Sequence, residues 1–160
     1  MKNKLVGITS QSGFTMIEIM IVVLIVAIIS GLALESYSNQ TTRARRAEAK
    51  AFLLEIAAKE ESFFSQYVSY TDVIARPGGA CVGVACGLGL GANISPRGFY
   101  SVTAALLPAG CAPGGAQNCT AYTLTATPVG IFDADCTTMT YTNINVRGST
   151  GAGTINECWR

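Results

Sequence analysis

The chain has 160 residues, with 11 basic side chains, 10 acidic side chains, no histidine and a hydrophobic fraction of 49%. This length allows one globular domain of modest size and one additional segment. Because the charges nearly balance, we expect no polyanion-binding surface and no nucleic-acid partner. The absence of histidine excludes His-based triads, His-based general acid–base chemistry and His-rich zinc sites.

An apolar stretch dominates the N-terminal part of the chain. The 21 residues from Phe14 to Leu34 would form a helix about 30 Å long, which matches the hydrocarbon core of a bilayer. The run is interrupted near its start by one charged residue, Glu18. A charge at the membrane centre costs roughly 2.5–3.5 kcal/mol, and less toward an end, so an uncompensated carboxylate there indicates a function. We therefore predict a transmembrane or assembly helix over residues 14–36.

Three other interpretations of this stretch compete. A buried core helix would need protein on every side of the 11 consecutive apolar residues from Ile19 to Ile29, and a chain of this size does not supply it. A cleaved secretory signal fits the basic residues near the N-terminus and the small residues around Gly31, but its apolar run would follow the basic region more closely. An ordinary single-span anchor explains the length and gives Glu18 no role.

The N-terminus resembles that of the type IV prepilins, through a short lysine-bearing leader, the apolar run and, between them, the motif Gly13-Phe14-Thr15-Met16-Ile17-Glu18. The resemblance implies that residues 1–13 are a leader peptide, which the prepilin peptidase removes after Gly13 on the cytoplasmic side. The same enzyme would N-methylate Phe14. Glu18 would then meet the terminal amine of a neighbouring subunit, and two opposite charges desolvated together cost far less than either alone.

The helix is predicted to continue to about residue 67. No proline or glycine occurs from Glu35 to Arg76, and the segment is rich in strong helix formers. Its apolar residues recur at steps of three and four, with Glu60 interrupting the stripe, so this face would dock on a sheet. The basic residues Arg43, Arg45 and Arg46 are interpreted as a solvated face.

The remainder of the chain reads as loops and short strands. Residues 72–97 hold too much glycine and proline for a regular element. Residues 98–160 contain three β-branched and aromatic segments separated by turns, which predicts an antiparallel sheet of three or four strands. The tail after Asn145 is interpreted as Gly-rich turns. The predicted fold class is α+β: a long N-terminal helix, its hydrophobic half protruding, packed on a small antiparallel sheet in a disulfide-rich head spanning residues 37–160.

Six cysteines all lie beyond residue 80, which predicts three disulfides formed in an oxidising compartment. No pair has the C-x-x-C spacing, so we expect no metal site, and no motif predicts a cofactor or a catalytic residue. Six cysteines allow 15 pairings, and the sequence alone does not choose among them. Our preferred hypothesis pairs nearest neighbours: Cys81–Cys86, Cys111–Cys119 and Cys136–Cys158.

Two signals conflict on membrane orientation. The four basic residues from Arg43 to Lys50 outnumber Lys2 and Lys4 of the leader, and such a bias favours a cytoplasmic C-terminal part. Cysteines favour the opposite, because cytosolic thiols stay reduced. We give the cysteines more weight and expect a single-pass inner-membrane precursor with its head in the periplasm, and a pilus or cell-surface location after assembly.

Further segments look like PilE-type minor pilins: Arg45–Ala51, Tyr70-Thr71, Ala121–Pro128 and Cys158-Trp159. Two departures stand out, since many members have a proline at the position of Glu35 and a glycine at that of Ala27. These departures argue against a bend set by proline, and any local melting of the helix during assembly would fall at Ser30-Gly31.

The resemblance implies a non-enzymatic minor pilin involved in adhesion and twitching motility. Its partners would be other pilin subunits, the prepilin peptidase, the pilus assembly machinery of the inner membrane and, before assembly, the membrane. The alternatives are a major pilin, a type II secretion pseudopilin, or a membrane-anchored surface module that captures a ligand such as DNA.

Overall fold

A computed structural model describes residues 13–160, but not the side chains of residues 32–36. The leader predicted for residues 1–13 therefore lies, up to residue 12, outside the described residues. The chain forms two compact units, one ending at Gln40 and one comprising Thr41–Arg160. Helix α1, Met16–Tyr67, belongs in sequence to both units. Among the described residues, no helix combines the length and the apolar character needed to cross a membrane.

Helix α1 ends at Tyr67, and the next residue has a left-handed backbone conformation. Val68 adopts a positive φ of 54°, and its N–H donates to the carbonyl of Phe64 at 2.8 Å. β-Branched residues rarely adopt this left-handed conformation, so tertiary contacts must hold it. The chain then turns back, and the Tyr70 N–H donates to the carbonyl of Cys119 at 3.0 Å.

The sheet contains four antiparallel strands in the order β1-β2-β3-β4. Their bounds are β1 Tyr100–Leu107, β2 Ala121–Pro128, β3 Thr138–Thr142 and β4 Arg147–Thr150. In β2 and β3, buried residues alternate with more exposed ones. This alternation places one face of the sheet on a core and leaves the other more accessible.

The core lies between α1 and the buried face of the sheet. From α1 it includes Phe52, Leu53, Ile56 and Phe63, all at most 5% exposed. From the sheet it includes residues that are at most 2% exposed: Tyr100, Val102, Tyr122, Leu124, Ala126 and Met139. Each fully buried side chain of this size contributes about 1.5–3 kcal/mol through the hydrophobic effect.

The predicted α+β class, with a long N-terminal helix on a small antiparallel sheet, is confirmed. The interpretation of the tail was incomplete, because it contains β4 and a short helix, α2, Ile155–Trp159. Thr154 and Glu157 form a reciprocal capping box at the start of α2. This cap compensates for the neighbouring glycines, because it satisfies backbone donors that a short helix otherwise leaves free.

The segment between α1 and β1 contains one short 3₁₀ helix, Gly83–Cys86, and two isolated bridges, Ala75–Leu90 and Ile94–Ser101. Gly87 has a φ of 56°, and a Cβ on it would lie 2.0 Å from the Val73 carbonyl oxygen. A side chain does not fit there. The loop is therefore packed closely against the chain that follows α1.

Candidate functional site: the N-terminal helix and the head surface

Glu18 takes part in a capping box at the start of α1. The Thr15 N–H donates to Glu18 Oε2 at 3.5 Å, and the Glu18 N–H donates to Thr15 Oγ1 at 3.3 Å. A carboxylate in the first turn also interacts favourably with the positive end of the helix dipole. The sequence motif therefore has a local structural role in addition to the assembly role that the resemblance implies.

The first turns of α1 present apolar side chains in every direction. From Phe14 to Ile29 the large hydrophobic side chains are between 49% and 86% exposed. Apolar surface on this scale is unfavourable in water, and continuous exposure of it marks a contact with lipid or with other proteins. This segment thus needs a partner surface on all sides rather than along one stripe.

Two features weaken the helical structure of α1 at Ser30 and Gly31. The Ser30 hydroxyl donates to the carbonyl of Val26, four residues earlier, at 2.7 Å. Such a bond weakens and often bends a helix. The adjacent Gly31 has open space where a Cβ would stand, so this glycine lowers helix propensity without serving close packing.

The predicted cleavage position is accessible. Gly13 and Phe14 are both exposed and precede the first helical residue, Met16. A Cβ added to Gly13 would meet no atom within 4 Å. The structure itself therefore sets no steric demand for glycine at this position, and any such demand comes from a partner.

The six cysteines form three disulfides: Cys81–Cys86, Cys111–Cys119 and Cys136–Cys158. The first closes the exposed 3₁₀ turn, and the second closes the β1–β2 connection. Cys136 and Cys158 are fully buried. This third bond ties α2 to the residues that precede β3, so it anchors the tail in the core.

Glu60 is a buried carboxyl group at the centre of the head. It is 0% exposed; its Oε2 accepts from the Thr71 N–H at 3.2 Å, and its Oε1 has no partner among the described residues. Burial, together with the neighbouring charges of Glu61 and Asp72, raises the pKa of Glu60 to about 7, against the lowering effect of the Thr71 bond. The residue that interrupts the apolar stripe in the sequence is thus inside the core.

A second polar group joins the end of α1 to β2. The hydroxyl of Tyr70 donates to Glu61 at 3.1 Å and that of Tyr122 donates to the same carboxylate at 3.4 Å. The two rings meet edge to face with centroids 4.7 Å apart. Burial and the Glu61 charge raise the pKa of Tyr70 to about 12. Both phenols therefore stay protonated and can donate.

Three cations of the head differ in how they are neutralised. Arg46 is paired with Asp133, whereas no ion pair of the described residues includes Lys50 or Arg147. Burial lowers the pKa of Lys50, and the positive charges of Arg147 and Arg46 lower it further. The Arg147 guanidinium lies 5.4 Å from the centre of the Trp159 ring. Lys50 Nζ donates a hydrogen bond to the main-chain oxygen of Arg160. Lys50 and Arg147 thus place two positive charges near one another beside an aromatic ring, and neither has an acidic side-chain partner among the described residues.

Within the described residues, no group of three or more His, Cys, Asp or Glu side chains is arranged to hold a metal ion. The ion pairs of the described residues join side chains of the head to one another. The candidate site is therefore the exposed apolar surface on the N-terminal part of α1, next to a folded, cross-linked head in sequence.

These features define the class of type IV pilin-like proteins, and the comparisons with known proteins identify the family. Residues 35–140 match the family described as "Type IV minor pilin ComP, DNA uptake sequence receptor", and residues 8–34 match the "Prokaryotic N-terminal methylation motif". The chain belongs to this family of type IV minor pilins.

One curated relative is the "Type IV major pilin protein PilA" of Myxococcus xanthus (strain DK1622), 38% identical over 60 residues, or 38% of this chain. The match spans about a quarter of the relative's length, 27%. One solved structure, "High-Resolution Structure of a Type IV Pilin from Shewanella oneidensis", has a TM-score of 0.39 and 17% identity, over 65% of this chain and 86% of that one.

Proposed function

We propose that this chain is a minor pilin: a structural, non-catalytic subunit of a type IV pilus. The prepilin peptidase would cleave it after Gly13 and N-methylate Phe14, and the apolar part of α1 would then pack against other pilin subunits. Before assembly, this same segment would associate with the inner membrane, with the head in the periplasm. The pilus machinery of that membrane would transfer the subunit to the filament at the cell surface.

The observation that carries this proposal is the methylation motif at residues 8–34, together with a single charged residue, Glu18, among the exposed apolar side chains of residues 14–29. In an apolar filament core, a neighbour's terminal amine would need a counter-charge, and Glu18 supplies one four residues after Phe14. Removing one partner of a buried ion pair costs roughly 3–5 kcal/mol, because the other charge stays desolvated. Incorporation should therefore depend on the charge of Glu18.

The capping box allows this charge to be tested separately from the helix cap. Glu18→Gln keeps an N3 side chain that can accept from the Thr15 N–H, but it removes the charge. Thr15→Ala removes half of the cap and keeps the charge. We expect Glu18→Gln to reduce the ratio of subunit in sheared filaments to subunit in membranes more than tenfold, and Thr15→Ala to change it less than threefold.

If Glu18→Gln and the unmodified protein give equal ratios, the charge of Glu18 has no role in assembly. If Glu18→Gln and Thr15→Ala reduce the ratio equally, Glu18 acts only as a helix cap. N-terminal sequencing of the membrane fraction provides the control, because both variants should still be cleaved after Gly13.

A second candidate function is DNA binding by the head. The description of the matched family names a DNA uptake sequence receptor, whereas the nearly balanced charge of the sequence predicts no nucleic-acid partner. The observation that favours it here is the pair of cations, Lys50 and Arg147, beside Trp159, neither of which has an acidic side-chain partner among the described residues. Such a group can contact phosphates and stack on a base or sugar.

The test is the affinity of the detergent-solubilised full chain for a 20-base-pair DNA duplex, measured from 50 to 200 mM salt. The double variant Lys50→Gln/Arg147→Gln should weaken binding and reduce the slope of log K against log salt by about two. Arg97→Gln is the matched control, since Arg97 is already paired with Glu48 at 2.7 Å. A salt-independent affinity, or equal losses in both variants, would exclude this surface as a DNA site.

A further inference from the structure

Strand β1 is an edge strand whose outer side is only partly covered. The backbone groups of odd-numbered residues in and next to β1 point toward β2. The carbonyl of Phe99 accepts from the Val129 N–H at 2.8 Å, and the carbonyl of Leu107 accepts from the Thr120 N–H at 2.9 Å. The backbone groups of the even-numbered residues of β1 point away from β2, since the Val102 N–H donates to the carbonyl of Asn93 at 2.7 Å. Backbone groups alternate along a strand, so those of Ala104 and Leu106 also point outward.

The residues that cover the outer edge of β1, Asn93 and Ser95, reach only as far as Val102. Tyr100 and Val102 are bonded to Ser95 and Asn93. Within the described part of the chain, no hydrogen bond reaches the N–H or C=O groups of Ala104 and Leu106 from the outer side. β1 also contains no charged residue and no proline before its end. It therefore lacks the features by which edge strands usually prevent pairing with another chain.

A cleft opens beside this uncovered edge. Its volume is about 470 Å³, which lies within the range of ligand-binding clefts. Three groups of residues line it: Val102 to Ala104 of β1, Asn93, and residues 72–75, which follow α1. Val102 and Ile74 are themselves 0% and 4% exposed, so the cleft lies directly over the apolar core.

Residues 74–76, beside the cleft, are bonded to Leu90. The Leu90 N–H donates to the carbonyl of Ile74 at 3.3 Å, and the Arg76 N–H donates to the carbonyl of Leu90 at 2.7 Å. This part of the lining is therefore held by Leu90 rather than by β1.

One acidic side chain, Asp72, lines the cleft. It is exposed and forms no ion pair among the described residues. A ligand that presents a cation to Asp72 would gain a charge-assisted contact that these ion pairs do not provide.

We propose that the cleft beside β1 binds an extended peptide segment of another protein as an added strand, with its apolar side chains on the same side as Ala104 and Leu106 and a basic side chain at Asp72. The backbone groups of Ala104 and Leu106 pair with the added strand, as in other cases of β-strand addition. At about 3.4 Å per residue, the free edge from Thr103 to Leu107 accommodates four or five residues of the segment. This inference does not depend on filament incorporation or on DNA binding.

The probe is a fluorescent seven-residue peptide of alternating threonine and valine that ends in arginine, with the full chain in detergent. The valines fix the register, because they favour the side of the half-buried Ala104 and Leu106, and a slip by one residue would turn them to the exposed side of Thr103 and Ala105. Two N-methylated versions carry the methyl groups either on all valine amides or on all threonine amides. For a given direction of the added strand, the N–H groups of only one of these two sets point toward β1.

We expect fluorescence anisotropy to show that one methylated peptide binds within threefold of the parent and the other at least tenfold more weakly, because it loses two backbone hydrogen bonds. Equal binding of both versions, or no saturable binding of the parent, would overturn strand addition.

The charge is tested by Asp72→Asn, which should weaken the arginine-ended peptide about three- to tenfold and leave a glutamine-ended peptide unchanged. Glu55→Gln is the matched control, because it removes one exposed negative charge from α1 without altering the cleft lining. An equal loss in both variants would overturn the specific role of Asp72.

Discussion

Arg46 and Asp133 join α1 to the β2–β3 connection through two parallel hydrogen bonds, from Nε to Oδ2 and from Nη2 to Oδ1, each of 2.7 Å. Their side chains are 11% and 5% exposed. Asp133 Oδ1 also accepts from the Cys136 N–H at 3.1 Å. The bonds to Arg46 and Cys136 hold the pKa of Asp133 below its ordinary value, although burial acts in the opposite direction. The pair thus connects the helix to the start of the disulfide-anchored tail.

Arg46→Met should destabilise the head by about 3 kcal/mol, because it leaves Asp133 buried without its counter-charge. Chemical unfolding of the full chain, followed by circular dichroism, measures the change. Arg97→Gln is the control: Arg97 is 60% exposed, and the carboxylate of Glu48 still accepts from the main-chain N–H of residue 97 in this variant, so the replacement should cost less than about 1 kcal/mol. Comparable losses in both variants would contradict the structural weight given to the buried pair.

Glu60 should make the stability of the head decrease as the pH rises from about 4.5 to 7. Its folded pKa is raised to about 7 from an ordinary value of 4.5. The folded state therefore holds a proton that the unfolded state releases, and the associated stability is complete below pH 4.5 and lost through pH 7. The difference corresponds to at most about 3 kcal/mol.

Glu60→Gln should remove this dependence, so its stability relative to the unmodified protein should improve between pH 5 and pH 8. Guanidinium unfolding at four pH values measures it, with Glu55→Gln on the exposed side of α1 as the control. If the unmodified protein and Glu60→Gln show parallel profiles, Glu60 does not change its protonation in this range.

Removing the Cys136–Cys158 bond should cost more than removing Cys81–Cys86. The chain-entropy model assigns about 3 kcal/mol to a loop of 22 residues and about 2 kcal/mol to one of 5. Replacing both cysteines by alanine also leaves a gap in the core for Cys136–Cys158 but not for Cys81–Cys86, since Cys136 and Cys158 are fully buried. Thermal unfolding of the two double variants tests the order, and a reversed order would contradict it.

Gly13→Val should block processing if the peptidase needs the backbone to approach closely at this position. The structure has open space around a Cβ at Gly13, so the replacement should not disturb the chain itself. The measurement is the fraction of mature-length protein in membranes. Gly31→Val, also in open space, is the control and should be processed normally. Unimpaired cleavage of the Gly13 variant would argue against recognition of this glycine.

The architecture of this protein could be predicted because its signals are local. A long stretch without helix breakers predicted α1, and alternating β-branched segments predicted the sheet. β4 and α2 escaped prediction because glycines at 148, 151 and 153 favour turns, whereas the capping box of Thr154 and the buried Cys158 stabilise regular structure there.

The contacts that order the head were harder to predict because their partners are distant in sequence. Arg46 was assigned to a solvated face, but it is buried against Asp133, 87 residues away. Glu60 shows that one signal was available: it stands at helical spacing from Ile56 and Phe63, both buried. A polar residue on an apolar stripe is a candidate for burial, although the sequence does not reveal its partner Thr71.

The position of Trp159 provides an intrinsic optical probe, because it is the single tryptophan of the chain. Its indole N–H donates to the Gly148 carbonyl at 2.9 Å, and its neighbour Cys158 belongs to a disulfide. Disulfides quench tryptophan emission at short range, so the folded tail should be dim, and reduction or detachment of α2 should increase the emission. The order in which the tail and the rest of the head come apart can thus be followed without an added label.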